Sequence, residues 1–282
     1  MLVGVVGSGN IGTDLMLKLS RSESLTLAGV AGIDPESEGL ALARSHGFIG
    51  TSDGLVDLLD AAPGIEAVFD ATSAGAHAAH AEILAERGIR SIDLTPAALG
   101  PAVVPGINAT EHLDAPDINL ITCGAQATVP IVAALAEVGE VEYAEMISTL
   151  ASKSAGPGTR ANIDEFTLAT AHSLEVVGGA REGKALIVLN PADPPILMRN
   201  TVYARVDADP ADLLASIERR IEQVARYVPG YRLAAPPMLD HPGQATVMLE
   251  VEGAGDYLPP YAGNLDIMTS AAVRLAEDLA AR

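Results

Sequence analysis

The chain has 282 residues, and its 37 acidic against 17 basic side chains give a formal charge of −20 at pH 7. Such an acidic surface disfavours nucleic acids and anionic membranes as partners, and no apolar run reaches the roughly 18 residues of a membrane span. The single cysteine excludes an intrachain disulfide, and without a signal-peptide pattern at the start we expect a cytoplasmic protein.

Apolar runs alternate with helical patterns through the first part of the chain. Strands are predicted over residues 2–6, 25–33, 65–69, 89–94 and 118–122, and helices over residues 11–19, 39–46, 55–59 and 76–87. Strands that alternate with helices form parallel βαβ units. We therefore predict an α/β fold with a Rossmann-type, doubly wound parallel sheet, as a dinucleotide-binding domain over residues 1–122.

The pattern changes after residue 122, where alternating strands and helices are mixed. Helices are predicted over residues 126–138, 163–177, 210–227 and 262–282, and strands over residues 141–150, 185–189, 201–206 and 245–251. We predict an α+β domain over residues 123–261 that carries catalysis and dimerisation, with its strands in one antiparallel sheet. The C-terminal helix 262–282 is expected to return to the Rossmann domain and complete it.

A glycine fingerprint follows the first strand and opens the first helix. It reads Gly7-Ser8-Gly9-Asn10-Ile11-Gly12 and fits G-x-G-x-x-G. In such a turn the first glycine permits the tight bend, the second lets a pyrophosphate approach, and the third allows close helix packing. Asp34 ends the second predicted strand, where a carboxylate can accept hydrogen bonds from the ribose hydroxyls and favours NAD over NADP. The alternatives are an ordinary tight turn and an Asp34 that only starts the next turn.

The only cysteine, Cys123, stands between the last predicted Rossmann strand and the helix that follows. A helix N-terminus favours the reactive thiolate, and its N–H groups can stabilise an oxyanion. Next to a nicotinamide, such a thiolate would add to an aldehyde and give a thioester after hydride transfer. The alternative is that Cys123 is a small buried hydrophobic residue.

Five further segments carry a resemblance to a known family. They are Asp93-Leu94-Thr95-Pro96, Thr122-Cys123-Gly124-Ala125-Gln126-Ala127-Thr128, Ser154-Ala155-Gly156-Pro157-Gly158-Thr159-Arg160-Ala161-Asn162, Asn190-Pro191 and Tyr261-Ala262-Gly263-Asn264. Together with the glycine fingerprint, they make the sequence resemble, over nearly its whole length, the acylating acetaldehyde dehydrogenases of aromatic and steroid catabolism. That resemblance implies a semialdehyde-dehydrogenase-like dimerisation domain in the second half.

The resemblance implies NAD-dependent, coenzyme A-acylating oxidation of acetaldehyde or propionaldehyde. It implies that Cys123 carries the acyl group and that residues 8–11, residues 154–162 and Asn264 contact NAD. It also implies a partner, a 4-hydroxy-2-oxovalerate-type aldolase, which passes the aldehyde to this enzyme through a channel. In that complex this chain would form a homodimer, and the homodimer and the aldolase would together form a heterotetramer. The metal of that system belongs to the aldolase, so we expect none here.

Two positions depart from the family pattern. Ala125 replaces a frequent glycine after the cysteine, where its methyl is expected to be tolerated or to narrow the pocket. Asn200 replaces an aspartate thought to help activate the thiol, and an amide can orient a thiol but cannot take its proton. We therefore hypothesise that Cys123 is activated mainly by the helix dipole and the positive nicotinamide ring. Asn162 and Asn200 complete the predicted catalytic set.

Several residues keep two interpretations. Residues 156–158 fit a plain connector or a cofactor loop, Arg160 could contact an anion, and Asn162 could instead cap the following helix. Hydroxyls after two strands, at residues 71–73 and 93–96, could touch the cofactor or cap helices. His77 and His80 share a helix face, but no third ligand stands beside them in the sequence, so a surface or capping role is expected.

Two rival functions remain open. One is a phosphorylating semialdehyde dehydrogenase, which would share the fold, the cysteine and NAD, and would transfer the acyl group to phosphate. The other is a non-catalytic NAD-binding sensor with Cys123 as a redox switch.

Overall fold

The computed structural model describes residues 1–156, 160 and 162–282. Its first sheet has six parallel strands in the order β3-β2-β1-β4-β5-β6. The strands are β1 (Leu2–Val6), β2 (Thr26–Ala31), β3 (Ile49–Thr51), β4 (Ala67–Asp70), β5 (Arg90–Asp93) and β6 (Asp117–Asn119). The helices between them are α1 (Asn10–Leu19), α2 (Glu38–Ser45), α3 (Gly54–Ala61), α4 (Ala74–Glu86) and α5 (Ala109–His112). This is the Rossmann strand order, which confirms the predicted fold class.

The chain runs outward in both directions from β1, which pairs with β2 on one side and β4 on the other. Ligands of doubly wound sheets bind outside the carboxyl ends of the strands at such a switch point. The strands are short and largely buried because helices cover both faces of the sheet. The fold therefore directs attention to the loops that follow β1, β4 and β5.

The second sheet has five strands in the order β10-β11-β9-β7-β8. They are β7 (Val141–Ala151), β8 (Gly183–Asn190), β9 (Met198–Val206), β10 (Tyr231–Leu233) and β11 (Gln244–Val251), and the helices are α6 (Cys123–Ala136), α7 (Ile163–Val176), α8 (Pro210–Ala225) and α9 (Gly263–Ala280). The prediction of an antiparallel sheet is wrong for one pair, because β7 and β8 run parallel. The segment that contains α7 joins them, and a crossover of that length permits parallel pairing.

Local capping signals in the sequence set the start of two helices. Asp209 precedes α8 and accepts a hydrogen bond from Ala211 N, with Pro210 in the first turn, as the sequence predicts. Thr122 caps α6 through a hydrogen bond from Ala125 N. As a result, α6 begins at Cys123, three residues before the predicted start at residue 126.

The C-terminal helix α9 lies against α1, so the end of the chain contacts its beginning. Lys18 of α1 bonds Asp14 of the same helix at 2.7 Å and Asp266 of α9 at 2.8 Å. Thr269 of α9 also donates to Asp14, at 2.6 Å. No helix within the described ranges is both long and apolar enough to cross a membrane.

Candidate active site

The glycine turn after β1 has the geometry of a phosphate-binding turn. Gly7 has a φ of +108°, and a Cβ there would lie 2.5 Å from Ala71 O. A Cβ on Gly12 would lie 1.7 Å from Gly7 O, whereas a Cβ on Gly9 would meet no described atom within 4 Å. Gly7 and Gly12 are therefore required by the turn, and Gly9 leaves open space before the N-terminus of α1.

A cavity of about 480 Å³ connects this turn with the start of α6. Its wall on the nucleotide side includes Gly9, Asn10 and Ile11 and the loops after β4 and β5. Further lining residues come from the chain after position 122 and include Cys123, Ser154, Gly156, Asn162 and Asn264. The structure thus brings the glycine turn, the sole cysteine and part of segment 154–162, here called the second loop, to one cavity.

Other predicted residues lie outside this wall. In the described part of the chain, Gly7, Ser8, Gly12, Asp34, Ala155, Arg160 and Asn200 do not line the cavity. The predicted contacts at Pro157, Gly158, Thr159 and Ala161 fall on residues that lie outside the described ones. Asp34 is exposed, and its Oδ1 accepts from Glu36 N at 3.0 Å, which is the turn-forming alternative.

Arg160 forms hydrogen bonds to residues a few positions before it in the chain. Its guanidinium donates to Ser152 O at 2.7 Å, Ser152 Oγ at 2.8 Å and Ala155 O at 3.1 Å. Among the described residues, Lys153 is the cation that lines the cavity, and its Nζ also lies 3.1 Å from Asp193 Oδ1. Lys153 was not predicted as a site residue, although a basic residue directly before segment 154–162 of an acidic chain could have indicated it.

Cys123 is the first residue of α6 and is only 7% exposed, although it lines the cavity. Burial raises the pKa of its thiol to about 12, while the backbone N–H groups of Cys123 and Gly124 pull the pKa in the opposite direction. The donors expected at the helix N-terminus are therefore present. The effect of burial on the thiol pKa is larger than the effect of these N–H donors, so the helix terminus alone does not produce a thiolate at neutral pH.

Two asparagines hold different positions at the cavity. Asn264 donates from Nδ2 to Ser154 O at 3.3 Å and so ties the start of α9 to the second loop. Asn162 stands at the N-cap of α7 without a side-chain cap bond to that helix in the described residues. The capping alternative for Asn162 is therefore wrong, and its position in the cavity wall is the one expected of a site residue.

Asn200 lies on the buried face of the second sheet, opposite Ser148 of β7. It is 1% exposed, and neither its amide N nor its amide O has a hydrogen-bond partner among the described residues. Ser148 Oγ is unpaired in the same sense. Met146, two residues before Ser148 on that face, reaches the start of α6, since a Cβ on Gly124 would lie 2.4 Å from its Cε. Asn200 thus belongs to the sheet layer behind α6.

Ala125 is fully buried in the hydrophobic core and does not appear in the cavity wall of the described chain. Its backbone N–H donates to Thr122 Oγ1 at 3.0 Å within a regular helical turn. The methyl group is therefore tolerated, and the expected narrowing of the pocket is wrong.

The expectation of a surface or capping role for His77 is wrong. His77 is fully buried, with Nδ1 3.0 Å from Asp70 and Nε2 3.3 Å from Asp117 and 3.5 Å from Asp93. His80 Nδ1 lies 2.8 Å from the same oxygen of Asp70. The signal in the sequence was an aspartate at the end of two successive strands, but their convergence on one histidine depends on the sheet.

Comparison with known proteins divides the chain in the same way as the two sheets do, into an N-terminal part and a part after residue 122. The family described as semialdehyde dehydrogenase, NAD binding domain, matches residues 2–116, and the family described as prokaryotic acetaldehyde dehydrogenase, dimerisation, matches residues 123–259. The solved structure of aspartate semialdehyde dehydrogenase II from Vibrio cholerae superposes with a TM-score of 0.61 over 98% of this chain and 97% of that one. At 14% identity, this likeness concerns the fold alone.

Curated relatives match over almost the whole length. The acetaldehyde dehydrogenase of Roseiflexus castenholzii is 58% identical over 98% of this chain and 93% of its own. That of Geobacillus stearothermophilus is 57% identical over 99% and 95%, and acetaldehyde dehydrogenase 3 of Nocardia farcinica is 58% identical over 99% and 93%. With both parts matched and these identities, the chain belongs to the prokaryotic acetaldehyde dehydrogenase family.

Proposed function

We propose that this protein oxidises acetaldehyde, or propionaldehyde, to the acyl-CoA with NAD, through a thioester on Cys123. The observation that carries the proposal is that the sole cysteine and the phosphate-binding glycine turn line one cavity. The family membership supports the acetaldehyde dehydrogenase activity. The transfer to coenzyme A rests on the resemblance of the site segments.

The fit to NAD is supported by the turn itself, since a side chain at Gly9 would occupy the space in which a pyrophosphate would lie. Gly9, Asn10 and Ile11 would hold the pyrophosphate at the N-terminus of α1. NAD, when bound, accepts the hydride that leaves the aldehyde carbon. Asp34, whose carboxylate is exposed in the loop between β2 and α2, is the proposed contact for the ribose hydroxyls.

Cys123 supplies the nucleophile. Its thiol loses a proton, and its sulfur forms a bond to the aldehyde carbon, giving a thiohemiacetal whose oxygen would lie near the N–H groups that start α6. Loss of the hydride oxidises this adduct to the acyl thioester. The thiol of coenzyme A then attacks the acyl carbon, the Cys123 sulfur leaves, and acyl-CoA is released. Burial of the sulfur keeps water from the thioester until coenzyme A arrives.

Asn162 and Asn200 are proposed to assist in different ways. Asn162 stands in the cavity wall, where an amide can orient the aldehyde oxygen. Asn200, whose buried amide has no hydrogen-bond partner in the described part of the chain, offers hydrogen-bonding capacity behind α6. Neither can serve as a base, so the proton of the thiol must leave by another route.

Mass spectrometry of the intact protein tests the proposal. Incubation with aldehyde and NAD, but without coenzyme A, should add one acetyl or propionyl group and form one NADH per chain. Added coenzyme A should remove the acyl group. The Cys123→Ser variant is the control and should give neither the adduct nor NADH. NADH formation that needs phosphate and not coenzyme A would favour the phosphorylating semialdehyde dehydrogenase, and an absence of NADH would favour the redox sensor.

We further propose a homodimer formed through the second sheet. The outer face of this sheet carries exposed apolar side chains at Leu186 (41%), Val188 (45%) and Tyr203 (42%), within the segment that the dimerisation family matches. Exposed apolar side chains grouped on one sheet face are typical of a contact surface. Light scattering should give a dimer for the native chain and a monomer for the double variant Leu186→Asp/Val188→Asp.

The aldolase partner is proposed on the resemblance alone. A 4-hydroxy-2-oxovalerate-type aldolase would bind the dimer, form a heterotetramer in the cytoplasm and pass on the aldehyde during aromatic or steroid breakdown. Co-expression and co-purification with such an aldolase, followed by an aldehyde-trapping assay, tests the complex. Free aldehyde that is trapped as readily as in a mixture of separate enzymes would contradict channelling.

A further inference from the structure

Three carboxylates, two of them completely buried, surround His77 at the carboxyl edge of the Rossmann sheet. Asp70 ends β4 and Asp93 ends β5, and the two are direct partners in the strand register. Asp117 comes from the start of β6, and His77 from the first turns of α4. His77, Asp70 and Asp93 are all completely buried. Four elements therefore meet at one imidazole ring.

Both ring nitrogens of His77 face carboxylate oxygens, at 3.0 Å from Asp70 and 3.3 Å from Asp117. A neutral imidazole has only one N–H, whereas both nitrogens are donors in the imidazolium. The charges agree with this, because the completely buried carboxylates of Asp70 and Asp93 require a cation. Burial disfavours the charged form of both groups, His77 and Asp70, yet the three carboxylates raise the pKa of His77 to about 10, and hydrogen bonds from His77, His80 and Thr72 hold the pKa of Asp70 well below its usual range.

The cluster reaches the cavity through two threonines. Asp70 uses one oxygen for His77 and the other, Oδ1, to accept from Thr72 N at 3.0 Å and from Thr72 Oγ1 at 2.5 Å. Asp93 faces His77 with Oδ2 and accepts from Thr95 N with Oδ1, at 2.6 Å. Thr72 and Thr95 both line the cavity that contains the glycine turn and Cys123.

We propose that His77 is a positioning residue for the cofactor site, a buried imidazolium that orients Asp70 and Asp93 and so holds Thr72 and Thr95 in the cavity wall. The inference rests on the proposed NAD-dependent function. In this role the buried charge of His77 fixes the loops after β4 and β5 through their aspartates, and His77 itself does not contact the cofactor. Loss of the anchor should weaken binding of the dinucleotide more than it slows the chemistry at Cys123.

Three variants test this role. In His77→Gln the three carboxylates lose their cation, and we expect the KM for NAD and the Kd for NADH to rise about tenfold while kcat changes less than about threefold. His80→Gln is the matched control on the same helix, since His80 bonds Asp70 alone, and its effect should stay below about threefold. Adding Asp93→Asn to His77→Gln removes one buried charge and keeps the Oδ1 acceptor for Thr95. This double variant should regain most of the affinity for NADH.

NADH affinity is measured by fluorescence without aldehyde, so it does not depend on the proposed reaction. Wild-type protein that binds NADH but forms no acyl-CoA would overturn the proposed function and leave the positioning role to be judged by the variants. An unchanged Kd in His77→Gln, or a double variant no better than the single one, would overturn the positioning role. So would a stoichiometric divalent metal in the purified protein whose removal weakens NADH binding as much as His77→Gln does. If His77→Gln does not fold, a folded double variant with nearly native affinity is the expected result, and an unfolded one contradicts the inference.

Discussion

At the scale of single residues, burial changes the chemistry that residue type suggests. Cys123 begins α6, and a helix N-terminus favours the thiolate. Burial of the thiol nevertheless raises its pKa to about 12. Burial likewise leaves the Asn200 amide, beneath α6, without a hydrogen-bond partner among the residues that the structure describes. Solvent exclusion depends on tertiary packing, which no local pattern encodes.

The raised pKa of Cys123 predicts slow alkylation in the absence of NAD. Only the thiolate reacts, so the rate should increase about tenfold for each pH unit and should not level off before pH 10. The denatured chain is the control, and its rate should level off near the ordinary thiol pKa of about 8.5. Stopped alkylation followed by mass spectrometry measures both. A plateau at pH 8.5 in the native protein would contradict this, and acceleration by NAD would support activation by the nicotinamide ring.

Asn200→Asp should destabilise the protein, since it buries a carboxylate that no described cation faces. We expect a loss of about 3 kcal/mol in the free energy of unfolding at pH 8. A buried carboxyl has a raised pKa, so the loss should shrink as the pH falls towards 5 and the group takes up a proton. Asn200→Leu removes the unpaired amide and should be neutral or stabilising. Chemical denaturation at both pH values gives the comparison, and equal stability of Asn200→Asp and wild type at pH 8 would refute it.

At the scale of elements, α6 shows why boundaries were harder to predict than elements. Apolar spacing indicated a start at residue 126, but the Thr122 hydroxyl accepts from Ala125 N and begins the helix at Cys123. A capping signal was present in the sequence at Thr122. The strands β3 and β10 were not predicted, because each has only three residues and so few residues do not show a recognisable alternation of apolar and polar side chains. The parallel pairing of β7 with β8 could not be predicted, because the direction in which two strands pair depends on the tertiary fold and not on their local sequence.

Removing the cap of α6 should affect both stability and catalysis. Thr122→Ala loses the bond from Ala125 N at 3.0 Å and the hydroxyl contact with Thr170 at 2.7 Å. We expect a loss of about 1–2 kcal/mol in stability and a decrease in kcat, because Cys123 is the next residue. Thr122→Ser keeps the hydroxyl and should stay near wild type in both. Urea denaturation and steady-state rates measure the two effects, and a Thr122→Ala variant with native stability would rule out the cap.

At the scale of the whole molecule, the alternation of strands and helices was sufficient to predict the Rossmann sheet. It was not sufficient to predict the His77 cluster, where β4, β5, β6 and α4 converge on one ring through contacts that span up to 40 positions of the chain. Contacts of this kind also join the two ends of the chain. Lys18 of α1 reaches Asp266 of α9 across 248 positions, so the last helix packs on the first.

Lys18→Met tests how much this junction contributes. Lys18 is only 9% exposed at its side chain, and Asp14 and Asp266 beside it are 1% and 4% exposed. These two carboxylates raise the pKa of Lys18, so its charge persists at pH 7. Its removal leaves two buried carboxylates without a cation, and we expect a loss of about 3–5 kcal/mol in the free energy of unfolding.

The matched control for Lys18→Met is Arg87→Met, which breaks an exposed pair with Asp60 at 2.7 Å and should cost less than about 1 kcal/mol. Urea denaturation at pH 7 compares the two. Because Asn264 at the start of α9 also bonds Ser154 in the cavity wall, the Lys18 variant should weaken NADH binding as well, and Arg87→Met should not. Equal losses of stability in the two variants would mean that the buried junction contributes no more than a surface ion pair.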